Sequence, residues 1–229
     1  ALKVANPGAG RVSAFLHVYD LANQPLRTEH IDKGVSTIVI NASGLPVEMR
    51  DAKGAIVLNS YDELMRPVAI WAQDNGSESV TMRRHTVYGD HDLLGPPTPM
   101  VTNHLGRVYK NYDEAGMMVI DSYDFKGQPK KKTRKVIKDD EILSTMPTSI
   151  YRVEWDGLDE SILEGNYVTE MEYDALGRPI LITLPEDVST NRKIIEPTYN
   201  LGGAMTAIAL DGEEYVSRIS YNARGQRIL

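Results

Sequence analysis

One short string recurs along this chain. Tyr123-Asp124-Phe125-Lys126-Gly127-Gln128-Pro129 returns as Tyr173-Asp174-Ala175-Leu176-Gly177-Arg178-Pro179 and as Tyr221-Asn222-Ala223-Arg224-Gly225-Gln226-Arg227. An internal repeat sets the architecture ahead of local preference, because each unit buries its apolar side against its neighbours. Aligned on the residue before Asp or Asn, ten units start at Tyr19, Ile40, Arg50, Tyr61, Thr102, Tyr112, Tyr123, Tyr173, Tyr199 and Tyr221. Seven of them open on Tyr, which explains why the chain has 12 Tyr and only 2 Phe. The second position is Asp20, Asn41, Asp51, Asp62, Asn103, Asp113, Asp124, Asp174, Asn200 or Asn222. Three residues further on, eight units have glycine: Gly44, Gly54, Gly106, Gly116, Gly127, Gly177, Gly203 and Gly225.

Asp or Asn at the first corner and Gly at the fourth is the preference of a type I turn. The side-chain oxygen accepts a backbone N–H two residues on, and glycine takes the left-handed conformation that closes a hairpin with a bulge. Each unit is therefore read as a β-hairpin, with Tyr on the incoming strand and an aliphatic residue such as Leu26, Val57 or Ile180 on the outgoing one. Two units lack the glycine. Asn23 tolerates a left-handed backbone, whereas Met65 does not do so comfortably and is expected to depart from the common turn. Successive starts differ by 10 or 11 residues, or by about twice that, which is one short strand plus one turn. Pro25, Pro46, Pro67, Pro129 and Pro179 follow the turns, at positions whose N–H the ladder does not need. The expected fold is all-β: a continuous antiparallel meander of short hairpins forming one wide, curved sheet with little helix.

No linker separates independent domains, so residues 1–229 are expected to form a single module with irregular insertions near 89–101 and 131–165. Asn6-Pro7-Gly8-Ala9-Gly10 forms a Pro-Gly-rich opening, followed by a strand over 12–18. Asp74-Asn75-Gly76 and Asp211-Gly212 are further turns, and residues 80–88 alternate as a strand. Gly95-Pro96-Pro97-Thr98-Pro99 is an irregular loop. The second insertion has helix-compatible stretches near 139–145 or 158–163. The chain starts at Ala and stops just after a turn, at the start of an outgoing strand, which suggests a piece of something longer.

A net charge of −7 argues against a general nucleic-acid binder. With 0 Cys there is neither a disulfide framework nor a thiolate metal site, and no window approaches a membrane span. His17, His30, His85, His91 and His104 have no metal-ligand spacing. His85 and His91, with Asp90 and Asp92 between or beside them, read as a solvated loop. No nucleophile elbow, phosphate loop or dinucleotide fingerprint is present, and Gly8-Ala9-Gly10 lacks the glycine and helix that would complete one. The repeat carboxylates already have work in turns. No catalytic residue, cofactor or metal is assigned, and the chain is expected not to be an enzyme.

Lys130, Lys131, Lys132, Arg134 and Lys135 could grip a polyanion, but a solvated loop balanced by Asp139, Asp140 and Glu141 is the favoured reading. The Tyr column could stack on sugars, but cross-strand packing is favoured. Asn41 and Asn75 match the glycosylation sequon and are better explained as turn residues.

The turn residues just assigned are Tyr19, Asp20, Tyr61, Asp62, Tyr112, Asp113, Gly116, Tyr123, Asp124, Gly127, Tyr173, Asp174, Gly177, Tyr199, Asn200, Gly203, Tyr221, Asn222 and Gly225. At these positions the chain resembles the YD-repeat (RHS-repeat) superfamily. The likeness is closest over residues 85–229, through Val87-Tyr88-Gly89-Asp90, Asn103-His104-Leu105-Gly106-Arg107-Val108-Tyr109, Trp155, Glu172-Tyr173-Asp174 and Ile219-Ser220-Tyr221-Asn222. There it resembles the B component of bacterial insecticidal toxin complexes. That resemblance implies a strip of sheet that spirals into a hollow shell, with B and C components enclosing a toxic polypeptide. It implies a structural, encapsulating segment of a secreted or cell-surface toxin-complex-like or SpvB-like protein. Its partners would be other RHS shell segments, in the same chain or in a C-component-like partner, and the enclosed polypeptide. The alternative is a carbohydrate-binding or adhesion module at a bacterial surface, with a glycan as partner.

Overall fold

The computed structural model describes residues 3–4, 12–145, 147 and 150–228. The Pro-Gly-rich opening at 6–10 lies outside the described residues. Strands β1 (Lys3–Val4) and β2 (Val12–Ser13) pair with each other. The chain continues through β3 (Phe15–Tyr19), β4 (Pro25–His30), β5 (Gly34–Ile40), β6 (Pro46–Arg50), β7 (Ile56–Tyr61), β8 (Pro67–Gln73) and β9 (Thr81–Tyr88). Next come β10 (Val108–Asp113), β11 (Gly116–Tyr123), β12 (Pro129–Ile137) and the one-turn helix α1 (Asp139–Leu143). The last strands are β13 (Leu163–Tyr173), β14 (Pro179–Glu186), β15 (Arg192–Tyr199), β16 (Met205–Leu210) and β17 (Glu213–Val216). Strands β3 to β17 are hydrogen-bonded in the order of the sequence. The all-β antiparallel meander expected from the repeat is the observed fold.

The chain packs as two compact units. The first is Ala1–Thr86 with Tyr112–Glu114 and Leu143–Glu160, and the second is Val87–Asn111 with Ala115–Ile142 and Ser161–Leu229. In the first, Ile38, Met49, Val57 and Ala72 face one another directly across β5 to β8. In the second, Met171, Ile182, Ile195 and Leu210 do the same across β13 to β16, and all four are half-buried. The reverse face of those strands carries Glu170, Thr183 and Ile194. Alternation along each strand sorts these residues by face, and the antiparallel register stacks like on like.

Because the meander alternates direction, its turns fall on two edges. In the first unit, 20–24, 41–45 and 62–66 lie at one edge and 51–55 at the other. In the second, 124–128, 174–178, 200–204 and 222–226 share an edge, opposite 187–191 and 211–212.

Several expectations need correction. Met65 has φ 61° and makes the common turn, its N–H donating to Asp62 O at 2.9 Å, as Gly127 does to Asp124 O at 3.1 Å. The register shift between Ser60 and Tyr61 imposes the left-handed residue, and the paired strands on either side hold it there. The unit beginning at Thr102 is not a hairpin. Its turn is displaced by one residue, with Arg107 N–H donating to His104 O, and Asn103 itself is left-handed at φ 57°. The first irregular segment therefore runs from 89 to 107. The unit at Tyr112 also differs, since Glu114 and Ala115 alone join β10 to β11. Gly116 instead serves close strand approach, because a Cβ there would lie 2.2 Å from Lys135 O. The second insertion is shorter than expected, 138–162. Residues 131–137 are strand, since β12 finds neighbours on both sides despite its run of lysines. Each expected helical stretch carries one helical piece, α1 in the first and a 3₁₀ turn at Glu160–Ile162 in the second.

A left-handed methionine costs about 1–2 kcal/mol. Met65→Gly is therefore expected to raise unfolding stability by roughly 0.5–1 kcal/mol in denaturant, after the added entropy of the unfolded chain. No gain would show that the Met65 backbone is unstrained.

Candidate functional site

The repeated turn is the smallest unit from which any function must be built, and Asp174 shows its parts. The backbone N–H of Asp174 donates to Arg178 O at 2.9 Å, and Gly177 N–H donates back to Asp174 O at 2.9 Å. Carboxylate Oδ1 accepts the N–H groups of Leu176 at 2.8 Å and Arg178 at 2.9 Å. The Arg178 guanidinium then pairs with Oδ2 at 2.6 Å. Gly177, at φ 81°, provides the left-handed step of a three-residue hairpin loop. The Asx oxygen bonds the N–H four residues on at Asp20, Asn41, Asp51, Asp62, Asp124, Asn200 and Asn222 as well. The Arg178 N–H, followed by its guanidinium and the Leu176 N–H, holds the Asp174 carboxyl below its ordinary range, against the desolvation that burial brings. At Asp62, desolvation is the largest influence and pushes upward, yet the same contacts from Arg66 and Leu64 win and the value is lowered.

The tyrosines staple one turn to the next. Tyr61 Oη donates to Pro46 O at 2.9 Å, Tyr123 to Val108 O at 2.7 Å and Tyr173 to Pro129 O at 2.9 Å. Tyr199 donates to Pro179 O at 2.9 Å and Tyr221 to Met205 O at 2.8 Å. Each acceptor is the first residue of the outgoing strand next along the same edge. Burial raises the hydroxyl pKa of Tyr123, Tyr173 and Tyr199, which keeps these donors protonated. The residues after Gly127 and Gly177 reach forward too. Gln128 Nε2 donates to Gly177 O at 2.6 Å, and the guanidinium of Arg178 lies 4.5 Å over the Tyr199 ring. A Cβ on Gly127 would meet Arg107 Nε at 2.7 Å, a contact the flexible arginine can relieve, so φ 87° is what favours glycine there.

One copy of the turn was not recognised in the sequence. Asp187 accepts Ser189 and Asn191 N–H on Oδ1, and Thr190 N–H donates to Asp187 O at 2.9 Å with φ 62°. It lies on the edge opposite the staples, so it has no Tyr, and Thr190 stands where the others have Gly. A lone Asp four residues before Asn191 was the available signal.

The irregular segments are held by side chains that repeat reading passes over. Trp155 is fully buried in the first unit, its N–H donating to Met82 O at 3.1 Å and its indole Nε1 to Asp113 O at 3.0 Å. Tyr112 packs on the Trp155 ring at 5.1 Å and donates to Glu160 Oε1 at 2.7 Å, so this tyrosine is no staple. Arg152 pairs with Asp74 at 2.6 Å and Glu78 at 3.4 Å, and buried Arg83 with Glu114 at 2.7 Å. In the second unit, His104 is fully buried, with Nε2 against Ile120 O and Nδ1 against Thr102 Oγ1, both at 2.7 Å. This bolts the 89–107 segment onto β11.

The basic residues lie along β12, where alternation sends Lys130, Lys132 and Arg134 to one face and Lys131 and Lys135 to the other. Lys131 pairs with Glu170 at 3.3 Å, and Glu170 with Arg192 at 3.0 Å. The Arg192 hydrogen bond, then that of Lys131, lowers the Glu170 pKa. His85 sits inside β9 rather than in a loop, and His91 accepts the N–H groups of Leu93 and Leu94. Among the described residues no cluster of three metal-ligating side chains occurs.

No family model matches the chain. The toxin subunit YenC2 of Yersinia entomophaga is 25% identical over 95% of this chain and 23% of its own length. A crystal structure of TcdB2-TccC3 matches 95% of this chain and 10% of that one, with TM-score 0.75 and 22% identity. The Photorhabdus luminescens Tc holotoxin pore matches 94% and 10%, with TM-score 0.73 and 22% identity. This chain thus spans about a quarter of the curated relative and a tenth of each solved chain. The RHS-like, toxin-complex resemblance read from the repeat stands.

Two outcomes follow from the turn and its staple. Tyr173→Phe leaves Pro129 O without its donor and is expected to lower unfolding stability by about 1 kcal/mol in denaturant. An unchanged midpoint would mean the hydroxyl bond contributes nothing. The lowered pKa values of Asp62, Asp174 and Glu170 stabilise the fold fully above the unfolded carboxylate range, and that stability is lost as pH falls through the folded values. Acid titration below about pH 4 should therefore unfold the parent more steeply than Asp62→Asn with Asp174→Asn.

Proposed function

We propose that this chain is a non-enzymatic wall segment of an RHS-type β-shell, from a secreted or cell-surface toxin-complex-like protein, that encloses or scaffolds a polypeptide. The observation that carries this reading is the row Met171, Ile182, Ile195 and Leu210, half-buried and running straight across four strands of the second unit. A wall facing a polypeptide needs a continuous apolar surface without specific pockets, on a sheet whose backbone groups are already paired. The resemblance to toxin subunits supports the same role. In this reading residues 1–229 act as one module, whose partners are further shell segments and the enclosed chain. The repeat carboxylates support a structural role, since Asp20, Asp51, Asp62, Asp124 and Asp174 each accept a backbone N–H within their own turn. Engagement of the Tyr hydroxyls by backbone carbonyls supports packing over sugar stacking.

A permanently unfolded polypeptide, reduced and carboxymethylated, should bind the purified chain in fluorescence anisotropy. Ile182→Asp with Ile195→Asp should weaken that binding at least about tenfold, while Glu170→Gln leaves it unchanged. Circular dichroism establishes that both variants fold. Glycan-array binding lost on Tyr→Ala changes at exposed repeat positions would instead assign an adhesion module. A hydrolytic activity abolished by one Asp or Glu substitution would overturn both.

A further inference from the structure

The loop joining β8 to β9 holds the one Asn-Gly pair of the sequence, Asn75-Gly76. Asparagine followed by glycine is the pairing most open to ring closure, because glycine has no Cβ to keep its backbone nitrogen away from the side-chain carbonyl. Gly76 is exposed, and a Cβ built on it would meet nothing within 4 Å. Among the described residues its N–H donates to no acceptor. The nucleophile is unencumbered.

The electrophile is held in place. Asn75 Nδ2 donates to Glu78 Oε1 at 2.7 Å, which orients the amide and turns Oδ1 toward Ser77. There Oδ1 accepts two hydrogen bonds, from the Ser77 N–H at 3.1 Å and from the Ser77 hydroxyl. Asn75 O is fastened as well, by the Glu78 N–H at 3.1 Å and by Gln73 Nε2 at 2.6 Å. Two donors converging on a carbonyl oxygen are the arrangement that stabilises a developing oxyanion. Asn41, in Asn41-Ala42-Ser43, provides the contrast within the chain. Its Oδ1 accepts the backbone N–H groups of Ser43 and Leu45, and the residue that follows it has a Cβ.

We propose that this loop is a self-modifying site, at which the fold itself promotes deamidation of Asn75. The Gly76 nitrogen loses its proton to water and bonds to Asn75 Cγ, and the carbonyl electron pair moves onto Oδ1 between the Ser77 donors. Collapse of that intermediate restores the carbonyl and breaks the Cγ–Nδ2 bond. The departing nitrogen takes a proton from water and leaves as ammonia. Water then opens the cyclic imide at either carbonyl, giving aspartate or isoaspartate at position 75. The product carboxylate cannot donate to Glu78, so a hydrogen bond is lost beside the Asp74–Arg152 ion pair of 2.6 Å. The chemistry does not depend on what the sheet encloses.

Peptide mapping by mass spectrometry, on the intact chain incubated at neutral pH, tests this. Asn75 is expected to convert to a mixture of isoaspartate and aspartate, faster than Asn41, Asn200 or Asn222. The folded chain should convert at least about threefold faster than the same chain unfolded in guanidinium. Ser77→Ala should slow the folded chain about fivefold, and Ser77→Thr should restore most of the rate, with neither altering the unfolded rate. Gly76→Ala, which the open space around Gly76 accommodates, should slow both states at least about tenfold. Circular dichroism establishes that the variants fold. Conversion no faster in the folded chain than in the unfolded one, aspartate as the sole product, or a folded rate that Ser77→Ala leaves unchanged or raises would overturn the proposal.

Discussion

The structure depends on one hydrogen-bonded corner, in which an Asp or Asn oxygen receives the N–H four residues on and a left-handed residue turns the chain back. Every hairpin of this kind closes a local loop of three residues, the least entropically demanding way to pair two strands. Such a corner is nonetheless weak alone, since an isolated hairpin is marginal in water. The Tyr hydroxyl provides the missing coupling. By donating to the first carbonyl of the neighbouring outgoing strand, it ties each turn to the previous one at one edge. Local closure and lateral stapling together make the meander a cooperative object.

The same arrangement assigns different work to the two edges. The stapled edge carries Tyr and the forward-reaching Gln128 and Arg178. The other edge accommodates an unstapled turn at Asp187, a two-residue Asp211-Gly212 turn and the large insertion. Segments outside the repeat are fixed differently, by single large groups with several bonds each. Trp155 and His104 are both fully buried and each holds an irregular stretch onto a strand. A sheet has few buried positions to offer, so its irregular segments depend on those few.

Much of this was legible from the residues. Periodic Asx and Gly placed the turns, Pro marked the start of outgoing strands, and alternation placed the faces, because each of these follows from local backbone geometry. Met65 and Thr190 show where local preference loses. Both are left-handed against their own inclination, since the strands around them are already paired and only a left-handed step fits between them. The lysines of β12 are a second case. Lys-rich sequence reads as solvated loop, but two flanking strands complete its ladder, and Glu170 answers Lys131. Thr102 and Tyr112 are a third, where the motif is present but neighbouring segments take its tyrosine or shift its turn.

By itself, then, the sequence determined the fold class, the hairpin unit and the structural employment of its carboxylates, because these rest on contacts within five residues. Only the tertiary structure decided which edge each turn occupies, which carbonyl each tyrosine reaches, where Trp155 and His104 are buried, and which apolar residues line up across strands. Those are contacts between residues distant in the chain, and their geometry exists only once the strands are in register.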